Sequence, residues 1–302
     1  MRVIWVLLAA AIALLGAEAK RFVVGFAQDT MTNDWRVAQV RELEAAFKND
    51  KNIEFVYTDG KGNLALSVQN IEELIARPVD VLIASPLDAK AMTPVIESAY
   101  KKGIPVVLLS RRIEGDGFTT FIHPENRDIA KQAARYIAKE LKGKGKIFIL
   151  QHVPTTTPAI HRTEAFFAEI KKYPGLEVTG MKVANSLRAD AIKMTEEALR
   201  EGLKFDAVYA QSDSMAVGAI MALKAAGVDP KPLVITGIDY ISEARAAIVA
   251  GELDASFTYP TAAAEGAEAV RRILKGQKVP KEQVIDSTMV TRENVRKIEP
   301  IF

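Results

Sequence analysis

A set of planar polar residues, with one large aromatic residue among them, follows the short apolar segments of this 302-residue chain. Ligands of open α/β sheets bind just beyond the carboxyl ends of the strands, so residues at these places are candidates for a site. Carboxylates accept hydrogen bonds, guanidinium groups donate two in one plane, and amides do both. Sugar hydroxyls both donate and accept, so this combination predicts a sugar site. The candidates are Gln28, Asn33, Trp35, Arg36, Ser110, Arg111, Arg162, Asp213 and Asp239.

The aromatic member, Trp35, would cover the apolar C–H face of a sugar ring. Each candidate also has an ordinary structural explanation. Taken alone, Trp35 is better explained as a core residue, while a surface charge is the alternative for Arg111 and a helix N-cap is the alternative for Asp213. Arg112, the next residue along, is expected to be a surface charge. The joint placement of the set at strand ends in both halves of the chain favours a site.

Two series of alternating strands and helices position these residues. Short apolar segments rich in β-branched residues are typical of buried parallel strands, and segments with a period of 3.6 residues separate them as helices. The alternation predicts two doubly wound α/β lobes with parallel sheets. We expect an N-terminal lobe of residues 20–122 with 259–286, and a C-terminal lobe of residues 123–258 with 287–302. The predicted strands are 22–27, 53–58, 81–84 and 106–109, then 147–150, 176–183, 207–210 and 234–236, with two late strands at 255–259 and 284–290.

Composition and missing motifs exclude several classes of protein. Forty basic and 38 acidic residues give a net charge of +2, which offers no electrostatic footprint for nucleic acid. The absence of cysteine excludes disulfide scaffolds, cysteine-ligated metals and thiol nucleophiles. No dinucleotide fingerprint, phosphate loop or paired-histidine zinc motif occurs. The three histidines are scattered and are interpreted as surface or loop residues, so the sequence predicts neither a cofactor nor a metal site.

The N-terminus has the pattern of a secretory signal peptide. A basic residue, Arg2, precedes an apolar run over residues 3–15, and Ala17 and Ala19 form a small-x-small cleavage site. A transmembrane anchor is the alternative, but the run is short for about 30 Å of hydrocarbon. We therefore expect residues 1–19 to be removed after Ala19 and the protein to reach the periplasm.

The chain resembles the periplasmic sugar-binding proteins of ribose/galactose-type ABC importers, in the periplasmic binding protein type I family. The matching stretches span nearly the whole chain after the signal peptide, in order: VGFAQ at 24–28, NDWR at 33–36, VLIASP at 81–86, GIPVV at 103–107, AQSDSMAVGA at 210–219 and TGID at 236–239. Within this family, the first two stretches resemble the galactofuranose binders most.

The resemblance implies roles for the candidates. Asn33, Trp35 and Arg36 match the ligand contacts of the first helix, Arg111 matches an arginine of the cleft, and the contacts of the second lobe match Arg162, Asp213 and Asp239. Ser110 stands where family members usually carry an acid, which implies a cleft that has lost one carboxylate. Tyr259, in the last strand that crosses between the lobes, replaces the family's glutamine and is a candidate for a missing ligand-facing ring. Three arginines with one acid lost would also suit an acidic sugar.

The resemblance implies a monomeric binding protein that captures a monosaccharide, closes about a hinge of three crossings and delivers the ligand to an ABC permease in the inner membrane. A chemotaxis sensor for a sugar is the alternative that the sequence leaves open. A transcription regulator would need a DNA-binding headpiece where this chain has a signal peptide. A sugar-modifying enzyme would need paired carboxylates across the sugar, for which Asp213 and Asp239 are the candidates.

Overall fold

The computed structural model describes residues 21–302, which form two α/β lobes. The predicted signal peptide lies outside the described residues. The first lobe contains the strands β1 (Phe22–Gln28), β2 (Ile53–Asp59), β3 (Val81–Ala84), β4 (Val106–Leu109), β5 (Thr120–Pro124) and β11 (Glu282–Ile285), and the helices α1 (Asp34–Phe47), α2 (Leu64–Ala76), α3 (Thr93–Lys101) and α9 (Ala263–Leu274).

The second lobe repeats this plan. Its strands are β6 (Lys144–Gln151), β7 (Gly175–Val183), β8 (Ala207–Ala210), β9 (Val234–Thr236), β10 (Ala255–Phe257) and β12 (Met289–Thr291), and its helices are α4 (Asn126–Glu140), α5 (Thr157–Ile170), α6 (Arg188–Arg200), α7 (Asp213–Ala225) and α8 (Ser242–Ala250). No helix within residues 21–302 is both long enough and apolar enough to cross a membrane.

Each lobe is built on one six-stranded sheet, in the order β2-β1-β3-β4-β5-β11 in the first lobe and β7-β6-β8-β9-β10-β12 in the second. All neighbouring strands are parallel except β10 and β12, which are antiparallel. The central strands are buried on both faces, as parallel strands covered by helices must be. The prediction of two doubly wound parallel α/β lobes is confirmed.

Two details of the predicted strands were wrong. The stretch around His123, which is not among the predicted strands, ends the buried strand β5. The late segment at 284–290 is not one strand: β11 extends the first sheet beside β5, and β12 extends the second sheet beside β10. The residues between β11 and β12 therefore pass from one lobe to the other.

The chain crosses between the lobes at three places: after β5, between β10 and α9, and between β11 and β12. β5 continues to Pro124 in the first sheet, beyond the boundary expected at residue 122. Helix α9 packs against α1 of the first lobe, while α4 packs against α5 of the second. The second and third crossings are in contact, since the Ser287 hydroxyl donates to the Thr258 carbonyl at 2.7 Å and the Thr288 N–H donates to the Thr258 hydroxyl at 2.8 Å.

Local sequence signals start and stop the helices that border the cleft. Asn33 caps α1 through its side-chain oxygen, which accepts a hydrogen bond from the Arg36 N–H. Gly103 and Gly227 follow α3 and α7 with positive φ angles, as expected of residues just past a helix end. The expected N-cap at Asp213 was wrong: Ser212 caps α7, and Asp213 is its first residue, with its carboxylate engaged elsewhere.

Candidate functional site

A cavity of about 510 Å³ lies between the two lobes, at the carboxyl ends of their strands. The first lobe contributes the segments after β1 and β4, and the second contributes the segments after β6, β8 and β9. Since both sheets present their carboxyl edges to the same space, the rule for open α/β sheets places the site here.

Eight of the ten residues predicted from the sequence line this cavity, and they come from both lobes and from a crossing segment. These eight are Asn33, Trp35, Arg36, Ser110, Arg111, Arg162, Asp239 and Tyr259. The structure does not bring the other two, Gln28 and Asp213, to the cavity wall. Arg112 also lies outside the lining, over the ring of Phe118 and paired with Asp116.

Gln28 supports the site from behind. Its side-chain amide donates to Gln39 Oε1 at 3.1 Å and to the Arg36 carbonyl at 3.3 Å, while its oxygen accepts from the Asp29 N–H at 3.0 Å. All the polar atoms of this side chain are therefore engaged within the first lobe. Gln28 therefore holds α1 against the end of β1, whereas the sequence predicted that it contacts the ligand.

Asp213 is fully buried beneath the loop that carries Asp239. Its carboxylate accepts hydrogen bonds from the Ser256 hydroxyl at 2.8 Å and from the Ile241 N–H at 3.1 Å. Burial raises the pKa of Asp213 to about 7, while these hydrogen bonds lower it. A carboxylate held this way positions the loop after β9, so the sequence prediction of a direct contact is replaced by a supporting role.

Asp239 itself faces the cavity and is 8 % exposed. Its φ of 125° is a strained conformation for a residue with a side chain. Of the residues that the structure describes, none hydrogen-bonds the Asp239 carboxylate through a side-chain donor. Burial raises the pKa of Asp239 well above its usual value, and the neighbouring Asp213 carboxylate raises it further. A backbone hydrogen bond from Asp213 opposes this shift, so the carboxylate faces the cavity as an acceptor without a side-chain donor.

A carboxylate that the sequence reasoning missed lies in the first lobe. Asp29 Oδ2 is 2.7 Å from Arg111 Nη1, and Asp29 Oδ1 is 3.3 Å from Arg36 Nε. All three side chains are almost fully buried. Burial, followed by the charge of Arg111, lowers the pKa of Arg36 to about 10, while Asp29 opposes this shift. Asp29 therefore supplies an acid to the cleft, although Ser110 implied that the cleft had lost one.

Ser110 adopts a positive φ of 60°, and its hydroxyl accepts a hydrogen bond from Arg36 Nη1 at 3.2 Å. Ser85 accepts from the same nitrogen at 2.8 Å. These contacts fix the guanidinium group of Arg36 in the cavity wall.

The arginine of the second lobe is held equally well. Arg162 Nε donates to Asn126 Oδ1 at 2.8 Å, and its Nη1 donates to the Gln211 carbonyl at 2.5 Å. Its guanidinium carbon lies 4.6 Å from the centre of the Tyr259 ring. The Tyr259 hydroxyl in turn accepts from Asn126 Nδ2 at 3.2 Å. Tyr259 therefore supports Arg162 as well as lining the cavity.

Trp35 has both of the roles that the sequence left open, as a wall of the site and as a core residue. It lines the cavity, yet it is 6 % exposed and belongs to a hydrophobic cluster with Phe257 and Tyr259. Its indole N–H donates to the Tyr259 carbonyl at 2.9 Å, and the two rings are 5.8 Å apart. Trp35 is thus both a wall of the cavity and a contact between α1 and the second crossing.

His152, interpreted from the sequence as a surface or loop residue, is buried in the cavity wall. Its Nδ1 accepts a hydrogen bond from the Val153 N–H at 2.6 Å, so the neutral ring carries its proton on Nε2. Burial, together with the charges of Arg111 and Arg162, lowers the pKa of His152 well below its usual value. The ring is therefore a neutral donor. Its place directly after β6 was the signal for finding it.

Hydrogen bonds across the mouth of the cavity join the two lobes in a closed arrangement. Asn33 Nδ2 donates to the Ser186 carbonyl at 2.7 Å on one side. On the other side, Thr155 donates to the Leu87 carbonyl at 3.0 Å, and the Ala89 N–H donates to the Thr155 carbonyl at 3.0 Å. A ligand can enter the cavity when these hydrogen bonds break and the lobes separate.

The described part of the chain holds no cluster of three acidic, histidine or cysteine side chains that could bind a metal ion. Because Asp213 lies outside the cavity, it cannot flank a sugar opposite Asp239, which is the arrangement that glycoside hydrolysis needs. The geometry is that of a closed pocket with donors and acceptors on both walls.

Comparison with known proteins identifies the family of this fold and pocket. Residues 24–278 match the family described as periplasmic binding protein domain. A xylitol-binding protein of Mycolicibacterium smegmatis is 29 % identical over 86 % of this chain and 74 % of its own. The fructose-binding periplasmic domain of a hybrid two-component system has a TM-score of 0.87 at 32 % identity, over 91 % of this chain and 92 % of that domain. A galactofuranose-binding protein has a TM-score of 0.87 at 25 % identity, over 91 % of this chain and 96 % of its own. The chain belongs to the periplasmic binding protein family.

Proposed function

We propose that this protein captures a monosaccharide, or a polyol of similar size, between its lobes and presents the closed form to an ABC permease. The observation that carries the proposal is the alternation of donors and acceptors on the two walls of one closed cavity. Arg111 and Asp29 lie on one wall, and Arg162, His152 and Asp239 lie on the other. A hydroxyl can accept from a guanidinium group and donate to a carboxylate at the same time.

Closure supplies the free energy difference that a binding protein needs. A ligand shifts the open–closed balance only by its greater affinity for the closed form. In an open cleft, the Asp239 carboxylate would be hydrated, whereas in the closed one it is buried without a side-chain donor. Hydroxyl groups of a ligand would replace the lost water, so ligand binding and closure stabilise each other.

The names of the relatives agree with this ligand class, since those proteins are described as binding xylitol, fructose and galactofuranose. We also propose that the protein is exported to the periplasm after cleavage at Ala19, acts as a monomer and catalyses no reaction. The family of binding proteins to which it belongs supports the periplasmic location and the absence of catalysis, and the small-x-small pattern at Ala17 and Ala19 supports the cleavage site.

The test is titration calorimetry of the purified protein with xylitol, D-fructose, D-ribose, D-galactose and L-arabinose, with small-angle scattering on each mixture. We expect at least one of these compounds to bind and to reduce the radius of gyration. Binding without compaction would contradict capture by closure, and a complete lack of binding across these compounds would contradict the proposed function.

A sensor is the second candidate, because the fructose-binding domain described above belongs to a two-component system. The two functions differ in the phenotype of a host strain that lacks this gene. An import protein is required for uptake of the labelled ligand, whereas a sensor is required for the response to the ligand while uptake continues.

A further inference from the structure

Three buried arginines set the electrostatic character of the cleft. Arg36, Arg111 and Arg162 are 5 %, 2 % and 2 % exposed, and all three line the cavity. Taken with the serine at position 110, they suggested a site with excess positive charge. Asp29 changes this balance, because its carboxylate lies between two of the three guanidinium groups.

We propose that Asp29 is the specificity-determining residue that sets the charge of the ligand. By neutralising the pair of arginines on the first wall, it makes the cleft selective for uncharged ligands and excludes sugar acids. The inference rests on the proposed function and assigns its charge selectivity to one residue.

The positions of the unpaired atoms support this role. Asp29 Oδ1 and Arg111 Nε are both buried and have no hydrogen-bond partner within the described residues. A hydroxyl group could donate to the first and accept from the second. A ligand carboxylate has no proton to donate, so it would give Asp29 Oδ1 no hydrogen bond and would place like charges together in a buried site.

Without the Asp29 charge, the same wall would favour the opposite class of ligand. Arg36 and Arg111 would then present two guanidinium groups with no counterion between them, and guanidinium groups bind carboxylates with two parallel hydrogen bonds. A sugar acid could take the place of the missing carboxylate. The preference of the cleft for neutral or acidic ligands is thus determined at this one position.

Hydrogen bonds to neighbouring residues hold the backbone of Asp29 in place. Its N–H donates to Gln28 Oε1 at 3.0 Å, and its carbonyl accepts from the Gly62 N–H at 2.9 Å. Gly60 permits the close approach of the second loop, since a Cβ there would lie 2.8 Å from the Asp29 carbonyl oxygen. The backbone of residue 29 is therefore fixed by contacts that do not involve its carboxylate, and Asp29→Asn changes the charge with little change in shape.

The experiment compares the dissociation constants of neutral and acidic probes by calorimetry. The neutral probes are xylitol, D-fructose and D-galactose, and the acidic probes are D-xylonate, D-gluconate and D-galacturonate. For the wild type, we expect the best neutral probe to bind at least about tenfold more tightly than the best acidic probe, the scale of one hydrogen bond to a charged group. In Asp29→Asn, we expect this ratio to fall by about tenfold or more, or to reverse.

Two further variants separate charge from structure. Asp59→Asn is the matched control: Asp59 ends β2 outside the cavity lining, and its carboxylate accepts from the Lys61 N–H at 2.8 Å. We expect its ratio to stay within about twofold of the wild type. The double variant Asp29→Asn with Ser110→Asp returns a carboxylate to Arg36 from the adjacent loop, and aspartate tolerates the positive φ at this position. We expect it to restore the preference for neutral probes.

If Asp29→Asn does not fold, Asp29→Glu takes its place as a variant that keeps the charge and the wild-type preference. A wild type that prefers acidic probes, an unchanged ratio in Asp29→Asn, loss of the neutral preference in Asp29→Glu, or an equal change in Asp59→Asn would overturn the inference while leaving sugar capture intact. A wild type that binds neither class would overturn the proposed function, and the inference with it.

Discussion

Replacing Asp239 by asparagine removes one negative charge from the second wall of the cavity and leaves the shape of the side chain unchanged. No side-chain donor among the described residues bonds this carboxylate, so the protein itself loses no such hydrogen bond. The ligand, in contrast, loses a charged acceptor. Asparagine retains one acceptor oxygen and presents an amide donor where the second oxygen stood.

The expected loss of affinity follows from this exchange. A hydrogen bond to a charged group is worth about 1.5–3 kcal/mol, so losing one raises the dissociation constant by roughly tenfold to a hundredfold. The unliganded protein should melt at the wild-type temperature or above it. The buried carboxylate costs desolvation energy in the folded state, which is the cause of its raised pKa, and the neutral amide avoids part of that cost.

Titration calorimetry with the tightest-binding probe measures the affinity, and a thermal melt with and without that probe measures stability. Ligand stabilises the folded state by mass action, so the rise in melting temperature on adding ligand should shrink in the variant. Asp59→Asn serves as the control, since it removes a carboxylate charge near the cleft from a residue outside the cavity lining. Unchanged affinity in Asp239→Asn would refute the role given to Asp239. A large drop in the melting temperature of the unliganded variant would show that the carboxylate stabilises the fold instead.

Three further predictions concern Trp35, Asp213 and the signal peptide. Trp35→Ala should weaken ligand binding by roughly 1–3 kcal/mol, which calorimetry measures. It should also lower the melting temperature of the unliganded protein, because the indole packs against Tyr259. An unchanged melting temperature would contradict the packing role. The raised pKa of Asp213 means that the folded state binds a proton more tightly than the unfolded state, so its contribution to stability is present below about pH 4 and is lost as the pH rises through about 7. Urea unfolding should therefore show Asp213→Asn gaining about 2–3 kcal/mol relative to the wild type between about pH 5 and about pH 8, and an unchanged difference would refute the assignment. Terminal sequencing of the exported protein should begin at Lys20, and an uncleaved hydrophobic start in the membrane fraction would contradict export of a soluble form.

Strands with a continuous apolar sequence could be predicted with their bounds. β3, β4 and β8 are each four buried residues, flanked by turns and helices, and the sequence placed all three as the structure does. The sequence did not predict β5 because this strand contains His123 and ends at Pro124, and neither residue type is typical of a buried strand. Its burial depends on neighbours on both sides, β4 and β11, and β11 is distant in sequence.

Residues of the cavity wall could be predicted where a strand end and a polar side chain coincide, as for Arg111 and Arg162. The sequence did not predict Asp29, although it directly follows β1, because the sequence alone does not show that its carboxylate reaches Arg111 after β4. Asp213 and Gln28 were assigned to the ligand because the sequence shows which residues follow a strand, not which way their side chains point. Only the tertiary structure shows that both face inward to support the loops beside the cavity.

The central claim is that the closed cavity between the lobes holds a small, uncharged sugar or polyol. Native mass spectrometry of the protein purified without refolding from its own host weighs whatever ligand the closed cavity retains. We predict one adduct per chain, with the mass of a neutral pentose, hexose or sugar alcohol, that is lost in Asp239→Asn and retained in Asp59→Asn. A protein that carries no adduct and gains none when mixed with such sugars, or an adduct that Asp239→Asn retains in full, would contradict the claim.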